Sequence, residues 1–271
     1  PAAPPAHPAN YMYEHFKDYL SENSGGALTG TILGPEVVAL PQMKDALQTG
    51  LAEIGNALPL YFPADMPITG IAGDLALLGR NPHAMVFLGA GSSNVYNLLT
   101  TKPVRTGDDM KGLRLRTGGA PYSRWAEHFG ATPVTMGVGD TFEAMSQGTI
   151  DGTMASTVDL LSFRLIDIAK YVTLVPIGTY HVTSNFTVGL NVWTSLSQEE
   201  RIQIAKSAAR ANFDLTDRWA FQLPAAAAAA IKETKIEVIE PDADFLAATE
   251  ALAARMQTEV GDKIDLTTYG M

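Results

Sequence analysis

Short helical patterns, most of them closed by a glycine, alternate with short apolar runs along the chain. That alternation is what most narrows the fold, because it calls for an α/β architecture. Tyr11 to Glu22 carries Met12, Phe16 and Leu20 at helical spacing, and "SGG" at 24–26 follows as a stop. Leu28 to Leu33 reads as a strand, Pro41 to Gln48 as a short helix ended by Gly50, and Glu53 to Leu58 as a strand. Met85 to Gly89 and Leu113 to Thr117 are further strands. Pro121 to Phe129 and Thr141 to Ser146 read as helices stopped by Gly130 and Gly148, and Leu160 to Ala169 as another helix. Asn185 to Val192 is a strand. Ser197 suits an N-cap, with Glu199 and Glu200 in the first turn of a long helix reaching Leu223, where Pro224 ends or kinks it. Phe245 to Val260 is a last amphipathic helix.

The 271 residues allow one large domain or two modest ones. With 46% hydrophobic and 18% charged residues, a packed core is expected and disorder is not. A net charge of −10 argues against nucleic acid and anionic membrane surfaces, so an anionic ligand would need a local cationic site. The absence of cysteine rules out disulfides and thiolate metal sites. No apolar run is long enough to span a bilayer. "PAAPPAHPAN" has neither a basic nor an apolar leader region, so the expectation is a cytoplasmic chain or a mature form whose signal peptide has been removed.

"ALQTGLAEIG" at 46–55 echoes "AMSQGTIDG" at 144–152: each is a helix end, a glycine cap and an acidic turn into glycine. Two similar α/β lobes would produce this echo, and a cleft between lobes is where small ligands bind. "FLGAGSSN" at 87–94 matches only part of a dinucleotide loop and reads better as a glycine-rich strand exit or hinge. The five histidines, at 7, 15, 83, 128 and 181, do not pair at metal-ligand spacing, so no metal site and no cofactor is expected. No nucleophile–base pair stands out either.

The cations of "MKGLRLRTGG" at 110–119 are the sharpest candidates. Arg114 and Arg116 share strand parity and so point to one face. Arg116 lies near the carboxyl end of its strand, where open α/β sheets place ligands. Gly118 and Gly119 beside it bare the backbone, and Pro121 suits the first turn of the next helix, whose N-terminus favours anions. Arg114 sits earlier, nearer solvent. An anion anchor and a structural ion pair both remain open for Arg116 on these facts.

"TTKPVRTGDDMKGLRLR", "HFGATPVTM", "TFEAMSQGTIDG" and "VWTSLSQEE", with "HFKDYLSENSGGALT" and "ALQTGLAEIG" earlier, resemble the solute-binding proteins of TRAP transporters, the DctP-type family, from about His7 to Gly261. The resemblance implies a two-lobed periplasmic binding protein fold of the α/β class, with an interlobe ligand cleft and a long helix bridging the lobes. Lobe I would comprise 1–92 plus 185–222, and lobe II 93–184 plus 223–271, with crossing strands near Gly89–Ser93 and Thr183–Asn185 that bend on closure. It implies a monomeric, non-enzymatic receptor in the periplasm that captures a small organic anion, a carboxylate or a sulfonate, and delivers it to the membrane permease subunits. The family's carboxylate-binding arginine falls on Arg116, whose planar fork can hold a carboxylate bidentately.

Departures from the family pattern shape the rest of the expected site. The family's "DGQENP" is here "DGTMAS", so the asparagine that helps the arginine becomes Ala155. A second arginine aligns with Tyr96, and an aromatic with Val138. Ser156, Tyr122, Asn56 and Tyr61 are polar or aromatic groups left to shape the pocket, joined by Tyr180, His181 and Asn185 from "TYHVTSN". A family helix has no room in "NPHAMVFLG", so a break near Ala84–Met85 is expected. The competing class is a small α/β lyase or transferase that holds a substrate carboxylate on Arg116, with Asp151, Asp159 or His181 as acid or base.

Overall fold

The computed structural model describes residues 7–39, 42–56 and 85–261. In chain order the helices and strands are α1 (Pro8–Asn23), α2 (Met43–Thr49), β1 (Ile54–Gly55), β2 (Met85–Thr100), β3 (Arg114–Thr117), α3 (Ala120–His128) and β4 (Thr132–Thr135). There follow α4 (Thr141–Ser146), β5 (Gly152–Ser156), α5 (Asp159–Ser162), β6 (Tyr171–Gly189), α6 (Leu190–Ser195), α7 (Gln198–Thr216), α8 (Leu223–Lys232), β7 (Glu237–Ile239) and α9 (Ala243–Gly261). The chain is α/β and divides into two compact units, one of Pro1–Ser93 with Tyr180–Leu223, the other of Asn94–Thr179 with Pro224–Met271. It therefore passes from one unit to the other within β2, within β6, and between Leu223 and Pro224.

In the first unit α1 packs along α7. Met12, Phe16 and Leu20 are buried on one helix, and Ile204, Ala208, Ala211 and Leu215 on the other. The alanines of α7 let the backbones approach, and polar pairs close the rims. Asn23 donates to Ser207 Oγ (2.8 Å), Tyr19 donates to the Asp214 carboxylate, and the Arg210 guanidinium lies 3.8 Å from the Tyr19 ring centre. The Asp214 contact, with burial second, pushes the Tyr19 hydroxyl up to about 12. β1 pairs antiparallel with the end of β6, Ile54 opposite Val188. α7 begins with a capping box between Ser197 and Glu200.

In the second unit β5 is the central strand. It runs antiparallel to β2, with Tyr96 opposite Ser156 and Thr100 opposite Gly152, and parallel to β3, with Arg116 opposite Thr153. β4 continues the sheet parallel to β3, and β7 runs parallel to the start of β6. Gly152 is a packing requirement: a Cβ there would fall 2.4 Å from Leu99 O and 2.7 Å from Thr100 Cγ2. α3 and α9 meet over Trp125, Phe129 and Phe245, and the Trp125 indole N–H donates to Thr249 Oγ1 (3.2 Å).

Several sequence expectations change here. Leu28 to Leu33 forms no strand: no partner pairs with it among the described residues, and Ser24 Oγ instead takes the Leu28 N–H (2.9 Å). Strand β1 is two residues long, with 57–58 outside the described residues. Leu160 to Ala169 is not one helix. α5 stops before Arg164, whose φ of 57° breaks the ladder, and a 3-10 turn follows at Leu165–Asp167. β6 ends at Gly189, and Leu190 to Val192 already belongs to α6. Pro224 does not end the long helix, which runs from α7 through a π-helical turn at Asp217–Gln222 into α8. That wider turn lies just before the proline and shifts the hydrogen-bond ladder where the proline has no N–H to give. "FLGAGSSN" lies wholly within β2 and is not a strand exit; no loop opens a helix there, in line with the partial dinucleotide match being set aside, and the chain passes between the two units at Ser93–Asn94 within it. Ala84 lies outside the described residues, and with it the expected break.

Candidate functional site

The two arginines of β3 have separate fates. Arg114 is exposed and ion-paired. Its backbone N–H, Nε and Nη2 all donate to the Asp151 carboxylate (2.9, 3.1 and 3.3 Å), and Lys102 Nζ stands 2.9 Å away. Burial alone would raise the Asp151 pKa. The Arg114 side chain, the Arg114 N–H and Lys102 outweigh it and hold the carboxyl at about 2. This is the structural ion pair that the sequence left open for Arg116. It also removes Asp151 as a general acid or base near neutral pH.

Arg116 is buried, only 4% exposed. Its Nε donates to the carbonyl of Met136 (3.1 Å), just after β4, which fixes the plane of the fork. Among the described residues it has no carboxylate partner, and it is the only buried lysine or arginine. Gly118 lies against it: a Cβ on that residue would stand in ordinary van der Waals contact with the fork, 3.5 Å from Nη1 and 3.6 Å from Nη2.

Strand register decides which groups share a face with it. Cross-strand partners point to the same side of a sheet, and neighbours along a strand alternate. Arg116 thus shares its face with Val134 on β4, with Thr153 and Ala155 on β5, and with Asn97 on β2 opposite Ala155. Tyr96 and Ser156 are opposite each other on the other face, where Tyr96 stacks on Tyr122 of α3 with ring centres 5.7 Å apart. Ser156 is buried there, and its N–H and hydroxyl both donate to Asp159 (2.8 and 2.9 Å). Asp159 thereby holds the turn after β5. Val138 is half-buried in the 3-10 turn after Met136.

In the first unit Asn56 and Asn185 meet. The Asn185 N–H donates to Asn56 Oδ1 (3.2 Å), its carbonyl accepts from the Tyr13 hydroxyl (2.8 Å), and its Oδ1 accepts from Thr187 (2.8 Å). Burial pushes the Tyr13 hydroxyl up. These bonds tie α1, β1 and β6 together. Tyr61 lies outside the described residues, as do the side chains of Tyr180 and His181 in β6.

Three groups around Arg116 were not foreseen: the Met136 carbonyl, Thr153 and Asn97. Strand alternation could have supplied Thr153, two residues before Ala155. Asn97 is adjacent to Tyr96, and only the β2–β5 register separates the two. Among the described residues no three acidic or histidine side chains gather as a metal site, and no helix is long and apolar enough to cross a membrane.

Two compact α/β units joined by long strands and a long helix, with one buried guanidinium in the second that has no carboxylate partner among the described residues, have the make-up of a binding protein for small solutes. The chain belongs to family 7 of the bacterial extracellular solute-binding proteins, the DctP family, whose profile matches residues 75–262. It is a periplasmic solute-binding protein of the TRAP transporter class. A solute-binding protein of Chromohalobacter salexigens is 25% identical over 243 residues, which is 80% of this chain and 70% of that one. A TRAP periplasmic solute-binding protein from Citrobacter koseri, solved with bound D-glucuronate, superposes with a TM-score of 0.79 at 23% identity over 97% of both chains. DctP7 of Bordetella pertussis, an extracytoplasmic solute receptor binding pyroglutamic acid, gives 0.81 at 19% identity over 98% of this chain and 94% of that one.

Proposed function

We propose that this protein captures a small organic carboxylate on Arg116 and delivers it to a TRAP membrane permease, as a monomer, one ligand per chain and without turnover. The observation that carries the reading is the buried Arg116 fork, held at Nε by the Met136 carbonyl and with no carboxylate partner among the described residues. A guanidinium fixed in this way presents its remaining N–H groups to a carboxylate with little ordering left to do. The ligands named for two similar proteins, D-glucuronate and pyroglutamic acid, each carry one carboxylate, which supports the same chemistry. In this reading the two units are the lobes, the ligand docks on Arg116 in the open form, and the lobe carrying Asn56 and Asn185 closes over it. Closure is favoured only by the ligand's greater affinity for the closed state.

Isothermal titration of the purified protein with D-glucuronate, pyroglutamate and a panel of small organic acids tests the proposal. Removing one partner of a buried, hydrogen-bonded charge pair costs roughly 2–5 kcal/mol, so Arg116→Ala should weaken binding by about 30- to several-thousand-fold. Arg116→Lys should also bind poorly, since an ammonium cannot reproduce the fork. Arg114→Ala should retain most of the affinity. Normal affinity in Arg116→Ala with an unchanged circular dichroism spectrum would place the anion site elsewhere.

A further inference from the structure

The charge balance of the second unit says more about the ligand than that it is an anion. Resting on the reading just given, we infer that the site selects monoanions and discriminates against dicarboxylates. Other cations of this unit are committed at the surface: Lys102 and Arg114 to Asp151, Arg105 to Glu237, Lys111 to Asp108, Arg124 to Glu259, and Arg164 to Asp167. Lys170, Lys232 and Lys235 are exposed. Arg116 is left as a single buried positive charge among the described residues.

One carboxylate neutralises that charge. A second would enter with no further buried cation to meet it among the described residues, and a charge taken from water without a partner is strongly disfavoured. Arg114, two residues earlier on the same face, is paired with Asp151, and the nearer groups on that face, Thr153, Ala155, Val134 and Asn97, are uncharged. Thr153 and Ala155 are short, buried and without charge, so neither offers a second anchor for an anion. The net charge of −10 adds a field that repels a dianion twice as strongly as a monoanion. The ligand class is therefore a monocarboxylate whose remaining groups are neutral, such as hydroxyls, a keto group, an amide or hydrocarbon.

Matched pairs that differ by one carboxylate test this: D-glucuronate against D-glucarate, butyrate against succinate, and benzoate against phthalate, each titrated calorimetrically near neutral pH. In at least one pair the monoacid should bind, with its diacid at least about tenfold weaker. Lowering the pH towards the diacid's second ionisation should restore its binding, with about one proton taken up per ligand bound. Proton uptake is read from the dependence of the heat on buffer ionisation enthalpy. A diacid that binds as tightly as its monoacid near neutral pH, without proton uptake, overturns the monoanion inference. If that binding is still lost in Arg116→Ala, the carboxylate-receptor reading survives. If none of these six acids, and neither pyroglutamate nor any other small organic acid of a wider screen, gives heat or a thermal shift, the receptor reading falls and this inference with it.

Discussion

Replacing Asp151 by asparagine should destabilise the protein in a pH-dependent way. The wild-type carboxyl sits at about 2 against an ordinary 3.8. At about 1.36 kcal/mol per unit this difference corresponds to roughly 2.5 kcal/mol. Its partners are half in solvent, Arg114 at 44% and Lys102 at 59% exposure, so screening reduces the effect to about 1–2 kcal/mol. For a chain of this size that is a fall in Tm of about 2–8 °C. Because the folded-state pKa is depressed, the stabilisation is fully present above the unfolded-state pKa and is lost as pH falls through the folded value. The gap between wild type and Asp151→Asn should therefore be widest near neutral pH, narrow below about pH 4 and close near about pH 2. Urea unfolding followed by circular dichroism across that range measures it. Equal stability near neutral pH, or a gap that persists undiminished in strong acid, would refute the ion-pair account of Asp151.

Gly152→Ala should destabilise by about 1–3 kcal/mol or more, because the new methyl meets the Leu99 carbonyl on a paired strand that has nowhere to move; an unchanged urea midpoint would mean that β2 and β5 are less closely apposed. Thr249→Val keeps the shape of the side chain but leaves the buried Trp125 N–H without its acceptor. A loss of about 1–3 kcal/mol is expected, and a neutral result by thermal unfolding would show that the indole finds another partner.

Much of this protein is written locally. Thr141 to Ser146 is helical over the same residues that the glycine stop at Gly148 and the apolar spacing indicate, and Ser197 caps α7 with Glu200 as its sequence suggests. Caps and helix ladders join residues three or four apart, so neighbours in the chain are enough to specify them. The shared parity of Arg114 and Arg116 is likewise local, as is the bare glycine beside Arg116. What the sequence alone could not decide is which arginine is neutralised, because Asp151 is brought to Arg114 from 37 residues away by the parallel pairing of β3 with β5. The same long-range register separates Tyr96 and Ser156 from Arg116, and sets Asn97 and Thr153 on its side instead. A shift of one residue in that pairing would reverse every face, and nothing within β2, β3 or β5 alone fixes it. The chain's own letters supply a cation, a glycine and a strand end; the tertiary pairing of distant strands leaves that cation buried, held by a carbonyl and uncommitted to any carboxylate among the described residues.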